Sequence, residues 1–307
     1  MRIASLLASG TEIAHALGLA DSIVAISHEC DYPPEVIDRP RLSRPRFDPA
    51  GLDSGAIDRA VRDAMLRHGS VYEVDGDLLE RLRPDLVLTQ AVCEVCAVPT
   101  PGVVEEVRQR DLDARVESLD AHTLDDILAS IVQVAEAAAV AEQGRRLVGS
   151  LRSRIEQVRA AVHDAPRPRV LAIEWLDPPF LPGHWVPDMI EAAGGDNLAG
   201  EAGAHSTEAE WSDLEAMDPD VLLLMPCGYG LAASRRDADR HAAPLSRIAG
   251  RAIGTRRAFV VDGSAYMNRS GPRVVDGVEL LAGLLHPDRV APPTSDRARV
   301  WQPPRRG

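Results

Sequence analysis

Residues 123–168 read TLDDILASIVQVAEAAAVAEQGRRLVGSLRSRIEQVRAAVHDAPRP, and this stretch decides the fold. Thr123 with Asp126 three positions on is a helix start, because each side chain can satisfy a backbone N–H that the first turn leaves open. No proline interrupts the chain from there to His163, and apolar residues recur at helical spacing. That is longer than an ordinary globular helix. The spacing predicts two helices, or one bent helix, dividing between Val140 and Gly144. The second portion, about Ala141 to Val162, would be a rod ~30 Å long. Asp164-Ala165-Pro166-Arg167-Pro168 ends it. A rod of that length is expected to bridge two lobes.

On its N-terminal side short apolar runs alternate with helical patterns. Arg2 to Leu7 is a strand, Ser9 with Glu12 fits a capping box opening a helix through Ile13, Ala16 and Leu17, and Gly18 closes it. A second strand follows at Ile23 to Ile26. Tyr32 to Pro49 is Pro- and Arg-rich and reads as loop, after which Ser54 caps a helix to about Arg67 that ends at Gly69. A short helix at Leu78 to Leu82 feeds a buried-strand pattern from Pro84 to Thr89, then a helix at Pro101 to Gln109 and a strand at Arg115 to Ser118. On the other side strands are expected near Val170 to Ile173, Val221 to Met225 and Phe259 to Val261, with a final helix from Pro272 to Leu285. The class is α/β: two Rossmann-like lobes joined by a long backbone helix, with a ligand cleft between the lobes. Residues 1–122 form the N-terminal lobe, 123–165 the connecting region and 166–289 the C-terminal lobe. The Pro-, Arg- and Ser-rich residues 290–307 read as a disordered tail.

Composition narrows the function. The 307 residues are 45% apolar and 26% charged, and no apolar run approaches the ~20 residues of a membrane span. A net charge of −13 gives no support to phosphate-driven nucleic-acid binding. The sequence contains no lysine, and all 34 basic residues are arginine. Pyridoxal Schiff bases, P-loop lysines and amine nucleophiles are therefore excluded. G-x-G-x-x-G and G-x-S-x-G are absent as well. The N-terminus lacks the apolar core of a secretory signal, so the chain as written is expected in the cytoplasm, and on the periplasmic side only if its true start lies elsewhere. In a reducing compartment its four cysteines are expected as thiols, metal ligands or redox groups.

Ligands of open α/β sheets bind beyond the C-terminal strand ends. There this sequence places Ser27-His28-Glu29-Cys30-Asp31-Tyr32-Pro33, then Cys93-Glu94-Val95-Cys96, and Pro226-Cys227-Gly228-Tyr229. Cys93 and Cys96 read as a redox pair, as half of a zinc or iron–sulfur site, or as two small buried residues. If the loops converge, Cys30, Cys93, Cys96 and Cys227 make a four-thiolate metal or cluster site, since zinc and iron–sulfur clusters take soft ligands. His28, Glu29 and Asp31 are candidate ligands or acid/base groups, or turn residues. Trp175, Phe180, His184 and Trp185 gather on another strand end, where aromatic rings either stack on a flat macrocycle or close the core. His15 is expected in the core, and His68, His163, His205, His241 and His286 at the surface or at caps.

These segments resemble the cobalamin and iron-siderophore substrate-binding protein family of ABC transporters, in its helical-backbone, two-lobe type. The resemblance rests on Arg2-Ile3-Ala4-Ser5-Leu6 with Thr11-Glu12-Ile13 and Ala16-Leu17-Gly18, on Pro84-Asp85-Leu86-Val87 and Pro219-Asp220-Val221-Leu222, on Ala193-Gly194-Gly195 and on the stretch Val260 to Tyr266. The segments around His28, Cys93, Trp175 and Pro226 resemble its cobalamin-binding subgroup. The resemblance implies noncatalytic binding of a corrinoid, with Trp175, Phe180, Trp185 and Tyr266 packed on the ring and His28, His184 or a thiolate facing the metal. It also implies a monomer and an ABC permease partner. Where the family docks glutamates on its permease, this chain has Asp77 and either Ser212 or Asp213, which are shorter. The alternative is a cytosolic metalloprotein or enzyme using the four cysteines for zinc or an iron–sulfur cluster.

Overall fold

The computed structural model describes residues 1–92 and 97–304. In the N-terminal lobe β1 (Ile3–Ser5), β2 (Ile23–Ala25), β5 (Leu86–Thr89) and β6 (Arg115–Ser118) form a parallel sheet in the order β2-β1-β5-β6. A short antiparallel pair, β3 (Ser43–Pro45) and β4 (Tyr72–Val74), stands beside it. The lobe's helices are α1 (Ala8–Ala16), α2 (Ser54–His68), α3 (Gly76–Leu82) and α4 (Thr100–Gln109). Two expected caps are corrected. α1 starts straight after Leu7, so Ser9 lies inside the first turn instead of capping it. At α2 the cap is Asp53, whose carboxylate accepts from the Ala56 N–H.

The connecting stretch is two helices, α5 (Leu124–Ala137) and α6 (Ala141–Val162). Thr123 and Asp126 make the expected capping box. The chain turns between the helices at Ala139, which takes a left-handed conformation at φ 56°. Gly144 lets the two cross closely, because a Cβ there would sit 2.5 Å from that of Ala135. α6 buries Val148, Leu151, Ile155 and Val158 in the core that continues into both lobes.

The C-terminal lobe orders β10 (Asp196–Asn197), β7 (Arg169–Ile173), β12 (Val221–Leu224), β13 (Ala258–Val261) and β14 (Ala298–Val300) in one sheet. β8 (Trp175–Leu176), β9 (Pro179–Leu181) and β11 (Thr207–Glu208) make a small antiparallel sheet on its rim. The helices are α7 (Val186–Ala192), α8 (Trp211–Leu214), α9 (Leu231–Arg240), α10 (Ala242–Ile248), α11 (Gly250–Gly254), α12 (Gly263–Tyr266) and α13 (Val274–Leu285). Arg154 of α6 binds Asp276 and Glu279 of α13 at 2.5 and 2.6 Å, tying the rod to this lobe.

The tail expected to be disordered is instead structured over its described part. β14 pairs antiparallel with β13, and Trp301 is fully buried with its indole N–H on Asp239 Oδ1 at 2.9 Å. One large aromatic side chain here outweighs a disorder-prone composition. Two histidines also differ from expectation. His15 is partly exposed, 3.6 Å from Glu35, while His286 is buried against the Gly194 carbonyl.

Candidate ligand site between the lobes

The seam between the lobes is built on a buried acid. α1 carries Glu12 on the face toward the C-terminal lobe, and the loop from α12 to α13 brings two arginines down on it. Arg273 reaches Glu12 with both Nη2 and Nε, at 2.6 and 3.0 Å, and Arg269 adds a longer contact at 3.4 Å. Arg269 also donates to Asp31 at 2.5 Å, to the Glu29 carbonyl at 3.0 Å and to Ser264 at 3.2 Å. The Arg273 guanidinium lies 4.2 Å over the Tyr32 ring. Burial alone would raise Asp31, but the hydrogen bond and charge of Arg269 outweigh it and hold the carboxyl below its ordinary value. Glu29 is lowered chiefly by its hydrogen bond to His28, whose Nε2 stands 3.3 Å away. His28 is fixed from its other side by Ser43 at 2.8 Å and packs on Tyr72, with ring centres 4.7 Å apart.

The opposite wall comes from the ends of β7 and β12. Glu174 is desolvated there and pushed up to about 7, only partly offset by a hydrogen bond from Ser206. The Cys227 N–H donates to the Glu174 carbonyl at 2.9 Å. Cys227 presents its surface to the cleft, yet the protein around it, and then the charges of Glu174 and Glu29, push its thiol up to about 12. Trp175 faces Tyr229 with ring centres 5.2 Å apart, and Phe180 is paired to Trp175 across the β8–β9 hairpin. Further out the lobes touch through Ser54 and Asp237 at 2.9 Å and through Arg62 and Glu208 at 2.8 Å.

The sequence candidates therefore do not form one cluster. His28, Glu29 and Asp31 meet around Arg269. Trp175 and Phe180 stand together on the rim hairpin. Trp185 is anchored into the core, its indole N–H on the Met267 carbonyl at 2.7 Å, and Tyr266 packs on that core beneath Arg297. His184 joins His122 and His205 in a separate group. Of the cysteines, Cys30 is buried with its sulfur 3.1 Å from the Thr11 hydroxyl, and burial raises its thiol. That is a neutral, structural thiol. Cys93 and Cys96 lie outside the described residues. Among the described residues no group of three His, Cys, Asp or Glu stands ready to hold a metal ion, so the four-thiolate site finds no support there. Sequence reasoning missed Glu12, Arg269, Arg273 and Glu174 as site residues. The one legible signal was the single acid of the first helix, with Arg269 and Arg273 four apart before the last.

A family model described as periplasmic binding protein matches residues 3–242. The chain belongs to that family. Among curated relatives, the vitamin B12-binding protein of Vibrio cholerae is 21% identical over 282 residues, 91% of this chain and 86% of that protein. The uncharacterized ABC transporter substrate-binding lipoprotein YvrC of Bacillus subtilis is 23% identical over 94% of this chain and 80% of its own length. Solved structures agree in fold. A periplasmic heme-binding protein from Pseudomonas aeruginosa superposes with a TM-score of 0.71 at 19% identity, covering 97% of this chain and 96% of that one. The periplasmic vitamin B12-binding protein of Vibrio cholerae gives 0.66 at 20% identity, covering 92% and 96%. The family's two-lobe architecture is thus this chain's. No helix of the described residues is long and apolar enough to cross a membrane.

Proposed function

We propose that the chain is a noncatalytic binder of a corrinoid-type metal chelate, held in the interlobe cleft. The relatives named above include binders of vitamin B12 and of heme, two ligands that differ at the rim: heme carries free carboxylates, whereas the corrin periphery of vitamin B12 carries neutral amides. The observation that carries the choice is the charge at the seam. Glu12, Glu29 and Asp31 set three carboxylates against the guanidiniums of Arg269 and Arg273, and each guanidinium is already bound to a protein acid. A ligand bringing further carboxylates to this seam would meet like charge there, where both guanidiniums are already committed to protein acids, at a cost in a partly desolvated site. Neutral amides would not. Trp175 and Tyr229, inclined at 54° to each other, offer aromatic faces on which a macrocycle can pack, and Tyr32 adds another across the cleft.

An ABC permease partner goes with this reading. Asp77 on α3 and Asp213 on α8 are both exposed, one on each lobe, as a two-point dock requires. The test is calorimetric titration of the full chain with cyanocobalamin and, separately, with hemin. Binding of the corrinoid, weakened at least about tenfold by Trp175→Ala, is expected. Preferential binding of hemin, or no binding of the corrinoid, overturns the proposal.

A further inference from the structure

One helix of the N-terminal lobe stands outside its core. To the apolar cores α1 gives Ile13 and Ala14, α3 gives Leu79, and α4 gives Val103 and Val107. Among the described residues α2 contributes none to any of them, and its Leu66 is 88% exposed. What holds α2 in place is the other lobe. It packs on β8, and a Cβ on Gly55 in its first turn would collide with the Asp177 carboxylate at the turn between β8 and β9. Ser54 donates to Asp237 of α9 at 2.9 Å, and Arg62 pairs with Glu208 of β11 at 2.8 Å. Asp177 and Asp237 thus set two acids of the C-terminal lobe against the start of α2, where the helix dipole favours negative charge. The helix therefore lies along the rim that carries Trp175 and Phe180.

The base of this segment is pinned to its own lobe. The Arg46 N–H donates to the Val71 carbonyl at 2.9 Å, continuing the β3–β4 pair, and residues 47–70 are an excursion between them. Gly51 and Gly69 flank α2 at φ 79° and 65°, left-handed values that glycine takes without strain. The grip on the far lobe is finely balanced. Asp237 is buried; its Oδ1 accepts from Ser54, with His241 Nδ1 3.6 Å away, but its Oδ2 has no hydrogen-bond partner, which costs free energy. The Arg62–Glu208 pair is exposed and adds little. At the seam, by contrast, buried Glu12 receives two bonds from Arg273. We propose that residues 47–70 are a lid over the aromatic rim of the cleft, pivoting at Gly51 and Gly69 and latched by Ser54 on Asp237, while the Glu12 seam keeps the lobes together. The inference rests on the interlobe cleft being the ligand site. A bulky ligand then passes by displacement of α2 instead of separation of the lobes. The lid leads into β4, whose Tyr72 packs on His28, so its base is itself part of the cleft.

Hydrogen exchange of the full chain without ligand, followed peptide by peptide by mass spectrometry, tests the lid independently of the corrinoid reading. Amides of α2 are expected to exchange at least about a hundredfold faster than those of α5 and α6. Ser54→Ala should speed exchange in α2 about tenfold or more and leave α1 and α13 unchanged. Arg62→Ala should act at the same place and less strongly. Release of cyanocobalamin or hemin, whichever binds, then reads the gating, and Ser54→Ala should raise that dissociation rate at least about fivefold. If neither binds, the ligand reading fails, while the exchange pattern still decides whether α2 opens on its own. Exchange of α2 as slow as that of α5 and α6, acceleration spread over every helix, or ligand release indifferent to Ser54→Ala would each overturn the lid.

Discussion

Replacing Glu174 with glutamine should make the protein more stable, and only above a definite pH. Glutamate ordinarily titrates near 4.5, but burial at the end of β7 pushes Glu174 up to about 7. Below 4.5 the side chain is protonated in both folded and unfolded chains and contributes no difference. Between 4.5 and about 7 the unfolded chain ionises it while the folded chain retains the proton, so stability falls as pH rises at ~1.4 kcal/mol per pH unit. Above about 7 the full penalty, at most about 3 kcal/mol, is in place. Glutamine keeps the shape and can still accept from Ser206, but carries no charge. Glu174→Gln should therefore match the parent at pH 4.5 and exceed it by about 2–3 kcal/mol at pH 8. Urea denaturation at both pH values, followed by far-ultraviolet circular dichroism, measures this, with an unchanged slope confirming that the two unfolded states are comparable. A difference equal at both pH values, or a variant less stable at pH 8, would refute the assignment of a desolvated carboxyl.

The buried ion pairs at the seam carry a stability prediction of opposite sign. Glu12→Ala leaves Arg273 without its acid and should cost about 3–5 kcal/mol in denaturant melts, whereas Glu12→Leu combined with Arg273→Met should recover most of that; an additive loss would contradict the pairing. Thr123→Ala removes the cap of α5 and should lower stability by about 1 kcal/mol in the same assay. Trp301→Ala should cost about 3–5 kcal/mol and speed proteolysis near the C-terminus, which a disordered tail would not show.

Much of the frame could be read from the chain because it depends on local order. The apolar runs of β7, β12 and β13 and the punctuation of α5 by Thr123 and Asp126 are written in adjacent residues. The division of the long helical stretch needed only its unusual length and the alanine-rich run before Glu142. What failed was of two kinds. The Ser9 cap failed because the strand before it turns into helix two residues earlier than the capping pattern implies. The tail failed because a single tryptophan, Trp301, finds a slot against β13 and α9 that no local pattern announces. The site was harder still. Glu12 and Arg273 are 261 residues apart, and their meeting depends on how the lobes close. His28, Glu29 and Asp31 stood out in sequence and do gather in the seam, but around an arginine that the sequence did not single out.

The central claim is that the interlobe cleft of this chain takes a corrinoid with neutral side chains in preference to a carboxylate-bearing tetrapyrrole. Competitive titration of the full chain with cyanocobalamin and hemin, read through quenching of tryptophan fluorescence and confirmed by calorimetry, tests it most directly. The account predicts saturable corrinoid binding, at least about tenfold tighter than hemin and weakened by Trp175→Ala. Tighter binding of hemin, or corrinoid binding unaffected by that substitution, would contradict it.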